Sequence, residues 1–165
     1  MSEFDVIRFH SRKSPRLQGY DYASRNYYFI TICTHRKQCI FGKPGNLNAS
    51  GKTAEQLFLD ISSHFPGVQI DKHVVMPNHI HGIIVLSGDG ISLSTVLGQY
   101  KAAVTRKLRH HHPGGKIWQA SFHDHIIRNE KGYQQIWNYI DTNPAKWQTD
   151  CFYSPAVLLD ESLSK

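Results

Sequence analysis

Val74-Val75-Met76-Pro77-Asn78-His79-Ile80-His81-Gly82-Ile83-Ile84-Val85-Leu86 is an apolar run, a Met-Pro-Asn turn, and a second apolar run that opens with two histidines. Pro77 presets φ for a turn position, and Asn78 tolerates the left-handed conformation often needed beside it. The β-branched residues on both sides predict two antiparallel strands, tightly joined. Residues i and i+2 of a strand share a face, so His79 and His81 are expected side by side with Ile80 on the reverse. Two imidazoles on a rigid, half-desolvated element supply two of the three protein ligands of an open metal site. The same spacing also suits two strand-end histidines hydrogen-bonded to neighbours, and His123 and His125 repeat it.

The hairpin fixes what lies around it. Val68 to Met76 and His79 to Leu86 are its strands. Before them, Ala54, Phe58, Ile61 and Phe65 recur at helical spacing until Pro66 stops the pattern, which predicts a helix. Residues 42–50 are rich in Gly, Pro, Asn and Ser and predict a loop. Asn26 to Thr34, β-branched and aromatic, predicts an earlier strand. After the hairpin comes a Ser87-Gly88-Asp89-Gly90 loop. Leu93, Leu97, Tyr100, Val104 and Leu108 then form the apolar stripe of a second helix. Lys101, Thr105 and Arg109 lie four apart on another face of it, with Arg106 and Lys107 nearby. That face is either solvated or phosphate-binding. His110-His111-His112 reads as surface, because consecutive side chains diverge.

Phe122 to Arg128 predicts a fourth strand, and Lys131 to about Asp141 a third helix carrying Ile136 and Ile140. Pro144 ends or bends that helix near Asn143. The order β-α-β-β-α-β, followed by a further helix, predicts an α+β fold. It is the ferredoxin-like antiparallel sheet with helices on one face and an additional C-terminal helix. Residues 1–20 form a basic arm (Arg8, Arg12, Lys13, Arg16), either a frayed tail or a strap on phosphates. Residues 21–150 are the domain and 151–165 a polar tail.

With 165 residues, one domain with an ordinary core is the expectation, and 40% hydrophobic content excludes a disordered chain. A formal charge of +6 suits an acidic partner, nucleic acid first. No apolar run is long enough to span a bilayer, and the N-terminus lacks a signal-peptide pattern, so no membrane partner is expected. Cys33, Cys39 and Cys151 are odd in number and lack C-x-x-C spacing, which fits a reducing cytoplasm without disulfides.

Tyr139 and Asn143 are four apart and share a face if the last helical turn holds. Their residue types alone suit packing and a helix stop equally well. The stretch Val75-Met76-Pro77-Asn78-His79-Ile80-His81-Gly82, however, resembles the His-hydrophobic-His motif of single-tyrosine transposases. More specifically it resembles the REP-associated tyrosine transposases of the insertion-sequence-200-like superfamily. The likeness continues through Arg16 to Tyr22, Phe29 to Thr34, Trp118-Gln119, His125 to Glu130, and Tyr139-Ile140-x-x-Asn143-Pro144, roughly residues 12–148.

The resemblance implies that His79 and His81 would ligate a divalent cation, Mg²⁺ or Mn²⁺. Asn143 would be the third protein ligand, where related transposases carry Gln. It implies Tyr139 as the nucleophile on a phosphodiester of single-stranded DNA, leaving a 5′-phosphotyrosine and a 3′-hydroxyl, with rejoining by the reverse attack. The implied target is a hairpin-forming repetitive extragenic palindrome, met in the prokaryotic cytoplasm at the nucleoid. The protein would act as a monomer or homodimer, monomer favoured. Candidate DNA-binding residues are Arg8, Arg12, Lys13, Arg16, Lys101, Arg106 and Arg109.

The chemistry suits those roles. Two imidazoles and an amide oxygen, without thiolate, match Mg²⁺ or Mn²⁺ better than structural zinc. A phosphotyrosine conserves bond energy, and no Walker-type phosphate loop is present. Trp118, Phe122, Tyr20 and Tyr22 are candidates either for stacking on unpaired bases or for the core. Two rival readings stand beside this one. One is a zinc hydrolase using His79, His81 and either His123 or His125. The other is a non-catalytic hairpin-binding module on the same fold.

Overall fold

The computed structural model of the chain describes residues 18–154. Arg8, Arg12, Lys13 and Arg16 of the basic arm lie outside the described residues, as does most of the tail. In chain order the strands are β1 (Asn26–Cys33), β2 (Gly42–Lys43), β3 (Asn46–Leu47), β4 (Val68–Met76), β5 (His79–Leu86) and β6 (His123–Ile127). The helices are α1 (Ala49–Leu59), α2 (Ile61–His64), α3 (Leu93–Leu108) and α4 (Glu130–Thr142), and a 3-10 segment over Asn143–Thr149 prolongs α4.

The hairpin is the centre of the molecule. Met76 faces His79 across it, and Pro77-Asn78 is the whole connection. β1 pairs with the other edge of β5 and β6 with the far edge of β1, all antiparallel, giving the order β4-β5-β1-β6. This is the expected ferredoxin-like sheet. Alternation along the strands sorts the core. Tyr28, Ile30, Ile32, Ile80 and Ile84 enter one cluster with Ala54 and Phe58 of α1 and with Leu97, Tyr100 and Val104 of α3. Tyr100 locks the two helices together by donating its hydroxyl to the Ala54 carbonyl at 2.9 Å.

The opposite face is also covered, and by α4. Phe29 and Ile83 meet Ile136 and Ile140 there. The conventional pair of helices thus closes one side, and the additional helix closes the side onto which His79 and His81 point. Gly82 lets this happen within one strand. A Cβ there would come within 2.7 Å of the Phe58 ring, so α1 can pack only against a bare backbone.

Each long helix starts at a side-chain cap. Asn48 accepts from Gly51 N at 2.9 Å, Ser92 from Thr95 N at 3.1 Å, and Asn129 from Gly132 N at 2.7 Å. The Asn48 cap is why α1 begins inside the stretch expected to be loop. The same stretch also holds the small β2–β3 hairpin. Helical spacing continues to Phe65, but the helix breaks at Asp60 into α1 and α2.

Packing continues past residue 150, into the stretch read as a polar tail. Phe152 is buried, and its carbonyl accepts from Asn78 Nδ2 at 2.8 Å. The turn after the 3-10 segment is therefore fastened to the hairpin connection itself.

Candidate active site

His79 and His81 are fully buried, with ring centroids 4.5 Å apart. Each has one nitrogen engaged at the back. His79 Nδ1 lies 2.8 Å from Asn78 Oδ1, and His81 Nδ1 lies 2.8 Å from Thr31 Oγ1. The carboxamide orientation makes Asn78 Oδ1 the acceptor, because Nδ2 already donates to the carbonyls of Phe152 and Lys37. His79 therefore carries a proton on Nδ1, which leaves Nε2 as the nitrogen turned to the site. Orientation of a ligating imidazole by such a partner is the usual outer layer of a metal site.

Three further groups come to the pair from the end of the chain. The carboxylate of Asp150 belongs to a group with His79 and His81 in which all ligand atoms lie within 4.8 Å of one another. Asn143 Nδ2 donates to Asp150 Oδ2 at 2.5 Å. The Oδ1 of Asn143 is buried and accepts no hydrogen bond from a described residue. Tyr139 places its hydroxyl 3.5 Å from His81 Nε2. The spacing argument for Tyr139 and Asn143 holds because Asn143 keeps helical φ and ψ and its N–H bonds to the Ile140 carbonyl. Pro144 then forces the tighter 3-10 geometry.

The residues fit a hard divalent ion. The donors are two imidazole nitrogens, a carboxylate and an orphaned amide oxygen, a nitrogen and oxygen set. Cys33, opposite His79 in the sheet, is not part of that group, and burial pushes the pKa of its thiol up to about 12. Burial also raises the Asp150 carboxyl, against the hydrogen bonds from Phe152 N and Asn143 that favour its charged form. Apolar rings wall the pocket. Phe152 stacks on His79 at 4.6 Å, and Phe29 sits edge-on to Tyr139 at 6.1 Å.

The position of Tyr139 is set by the rest of α4. Tyr133 donates to Asp71 Oδ2 at 2.7 Å, the residue that bulges out of β4. Lys72 stands 3.6 Å over the Trp137 ring and reaches Asp141 at 2.6 Å. Tyr133, Trp137 and Asp141 thus fasten one stripe of α4 to β4, which turns Tyr139 towards β5. The other hydroxyls differ in setting. Tyr100 is buried on a carbonyl, and Tyr133 is pushed up to about 12, first by its bond to Asp71. Tyr20 and Tyr28 share a network with Ser24.

The remaining candidates separate by their settings. Lys101 is half-buried and donates to the carbonyls of Gln119 at 2.6 Å and Ser121 at 3.2 Å, tying α3 to the loop before β6. Its charge is spent inside the fold, whereas Arg106 and Arg109 are exposed. Trp118 and Phe122 are core residues, and the Trp118 indole donates to the Lys101 carbonyl. Tyr20 and Tyr22 pack on each other at 5.0 Å and against the core. Neither His123 nor His125 joins the His79–His81–Asp150 group. Asp150 was not foreseen. It lies in an aperiodic segment, and an acidic residue at a domain boundary ordinarily reads as surface.

The four-stranded sheet thus presents a buried imidazole pair to a tyrosine on a C-terminal helix. Residues 22–143 match the family model described as transposase, IS200 like. The chain belongs to this transposase family, whose members are enzymes acting on DNA. It is 37% identical over 169 residues to an uncharacterized protein of Haemophilus influenzae, covering 87% of this chain and 94% of that one. It is also 37% identical over 79 residues to a REP-associated tyrosine transposase of Escherichia coli, covering 47% of this chain and 45% of that one. Its fold matches that of a REP-associated tyrosine transposase solved bound to a REP hairpin, with a TM-score of 0.64 at 23% identity. That match covers 79% of this chain and 73% of the other. No helix among the described residues is long and apolar enough to cross a membrane.

Proposed function

We propose that this protein nicks and rejoins single-stranded DNA at hairpin-forming palindromes through a phosphotyrosine at Tyr139. The observation that carries this reading is the Tyr139 hydroxyl 3.5 Å from His81, beside buried His79, His81 and Asn143 and half-buried Asp150. The hairpin preference is carried over from the REP-associated relatives.

In this reading His79, His81 and Asn143 hold Mg²⁺ or Mn²⁺, with Asp150 beside them. When bound, such an ion polarises the scissile phosphate and offsets its charge. Asn78 and Thr31 keep both imidazoles in the ligating orientation. Tyr139 attacks phosphorus in line, forming a Tyr–O–P bond to the 5′ side and releasing the 3′-hydroxyl. Attack by a DNA 3′-hydroxyl reverses the step, so no nucleotide triphosphate is consumed. The anchoring of α4 to β4 supplies the positioning on which such a reaction depends. Arg106 and Arg109 are offered as outer phosphate contacts, together with Arg8, Arg12, Lys13 and Arg16. The protein would act as a monomer or a homodimer, the monomer being favoured.

The test is incubation of the full chain with single-stranded hairpin oligonucleotides and Mn²⁺ or Mg²⁺. A covalent protein–DNA adduct is expected. Loss of the nucleophile in Tyr139→Phe should remove the adduct and lower cleavage by about 10⁴-fold or more, as in other covalent enzymes. Cleavage that persists in Tyr139→Phe without any adduct would instead mean that water is the nucleophile.

A further inference from the structure

The turn after β1 is built around two residues whose conformation needs explaining. Arg36 (φ 53°) and Lys37 (φ 55°) are the non-glycine residues with positive φ among the described residues, and they are consecutive. Side chains are strained in this region, and strain persists only where the surroundings over-determine it. Here they do. Lys37 N donates to the Thr34 carbonyl at 3.1 Å and Gln38 N to the His35 carbonyl at 3.2 Å. The Thr34 hydroxyl lies 2.8 Å from the Gln38 carbonyl and 3.0 Å from that of Asn78. The Lys37 carbonyl accepts from Asn78 Nδ2 at 3.2 Å, and the same carboxamide orients His79. The strained turn and the ligating imidazole thus share one residue.

The turn also delivers a charge. Lys37 is exposed, and its ammonium stands 5.4 Å over the ring of Phe152, which also packs against His79 and His81. Its field reaches groups on three elements: Cys33 on β1, His123 on β6 and Asp150 on the terminal turn. A solvent-facing cation beside a pocket built for a phosphodiester has an obvious anion to meet.

We infer that Lys37 is a substrate-contacting cation, holding a DNA backbone phosphate at the mouth of the His79–His81 pocket, and that the left-handed turn exists to aim it; this rests on the function proposed above. Arginine in its place would do the same work. Glycine would relax the turn while removing the charge.

The experiment compares wild type, Lys37→Gly and Lys37→Arg as full chains on one single-stranded hairpin oligonucleotide. Binding is followed against salt without divalent metal, adduct formation with Mn²⁺, and melting temperature. Lys37→Gly should melt no lower than wild type. Its plot of log K against log salt should flatten by about 0.7, the value of one single-strand phosphate contact. Adduct formation should slow by about tenfold or more, short of the 10²–10³ that a donor aimed at reacting charge is worth. Lys37→Arg should keep both slope and rate. An unchanged slope and rate in Lys37→Gly would overturn the inference. So would a lowered melting temperature with an unchanged slope, which is the signature of a purely structural turn. If wild type forms no adduct at all, the phosphotyrosine reading fails, and the salt slope still decides for or against Lys37.

Discussion

His79-Ile80-His81 and His123-Asp124-His125 have the same spacing and face the same side of the sheet, since His81 and His123 both pair with Thr31. They nevertheless have different fates. β5 is a central strand, so its pair is fully buried, oriented from behind by Asn78 and Thr31, and roofed by α4 and the terminal turn. β6 is an edge strand, and its pair is only half-buried. Period-two spacing says which face two histidines share. Whether other donors converge on them depends on what covers that face, here a helix and a turn contributed by the last quarter of the chain.

The largest expected effect tests that contrast directly. His79→Ala or His81→Ala should reduce metal-dependent adduct formation by more than the about 10–100-fold that outer partners cost. His123→Ala should stay within about threefold, as most changes away from a site do. Equal losses at His81 and His123 would revive a three-histidine zinc centre. Next comes the layer behind the two imidazoles. Thr31→Val keeps the side-chain shape but leaves His81 Nδ1 without its hydroxyl. Mn²⁺ affinity, read by titration calorimetry, should fall by about 10–100-fold while hairpin binding without metal is kept. Unchanged affinity would mean that Thr31 serves only packing.

Much of this was legible in the sequence, for reasons that can be named. The hairpin was readable because β-branched runs flank a turn whose chemistry is local. β4 and β5 fall at the residues expected, and α3 follows its apolar stripe from Leu93 to Leu108. β1 differs only in ending at Cys33, one residue before Thr34. The placement of α4 on the reverse face was not readable, because Ile136 and Ile140 announce a buried stripe and not which sheet face it meets. Lys101 looked like its neighbours Arg106 and Arg109. Only tertiary structure shows that its ammonium caps the carbonyls of Gln119 and Ser121. Asp150 and Lys37 lie in aperiodic segments, where position in space is set by hydrogen bonds to residues far away in sequence.

A smaller effect sharpens the contrast between the two faces of β5. One face of this strand carries the two buried histidines and the other admits the Phe58 ring against Gly82. Gly82→Ala should destabilise the fold by about 1–3 kcal/mol through overpacking, measured by urea unfolding. Phe58→Leu should recover part of the loss. If Gly82→Ala is neutral, α1 is free to shift, and the glycine reports something other than close packing.

The smallest effect concerns the edge pair alone. Burial first, and then the charge of Lys37, holds the pKa of His123 below the ordinary value of about 6.5. In the folded state His123 therefore stays neutral at a pH where the unfolded chain already binds a proton. Its contribution to stability is fully present above about pH 6.5 and is lost as pH falls through the lower, folded value. Melting temperature should accordingly decline on acidification below pH 6.5, and His123→Gln should flatten part of that decline. Lys37→Gly should flatten it less, because it removes only the second of the two causes. An acid limb that is identical in wild type and His123→Gln would show that the edge histidine is solvated as freely in the folded chain as in the unfolded one.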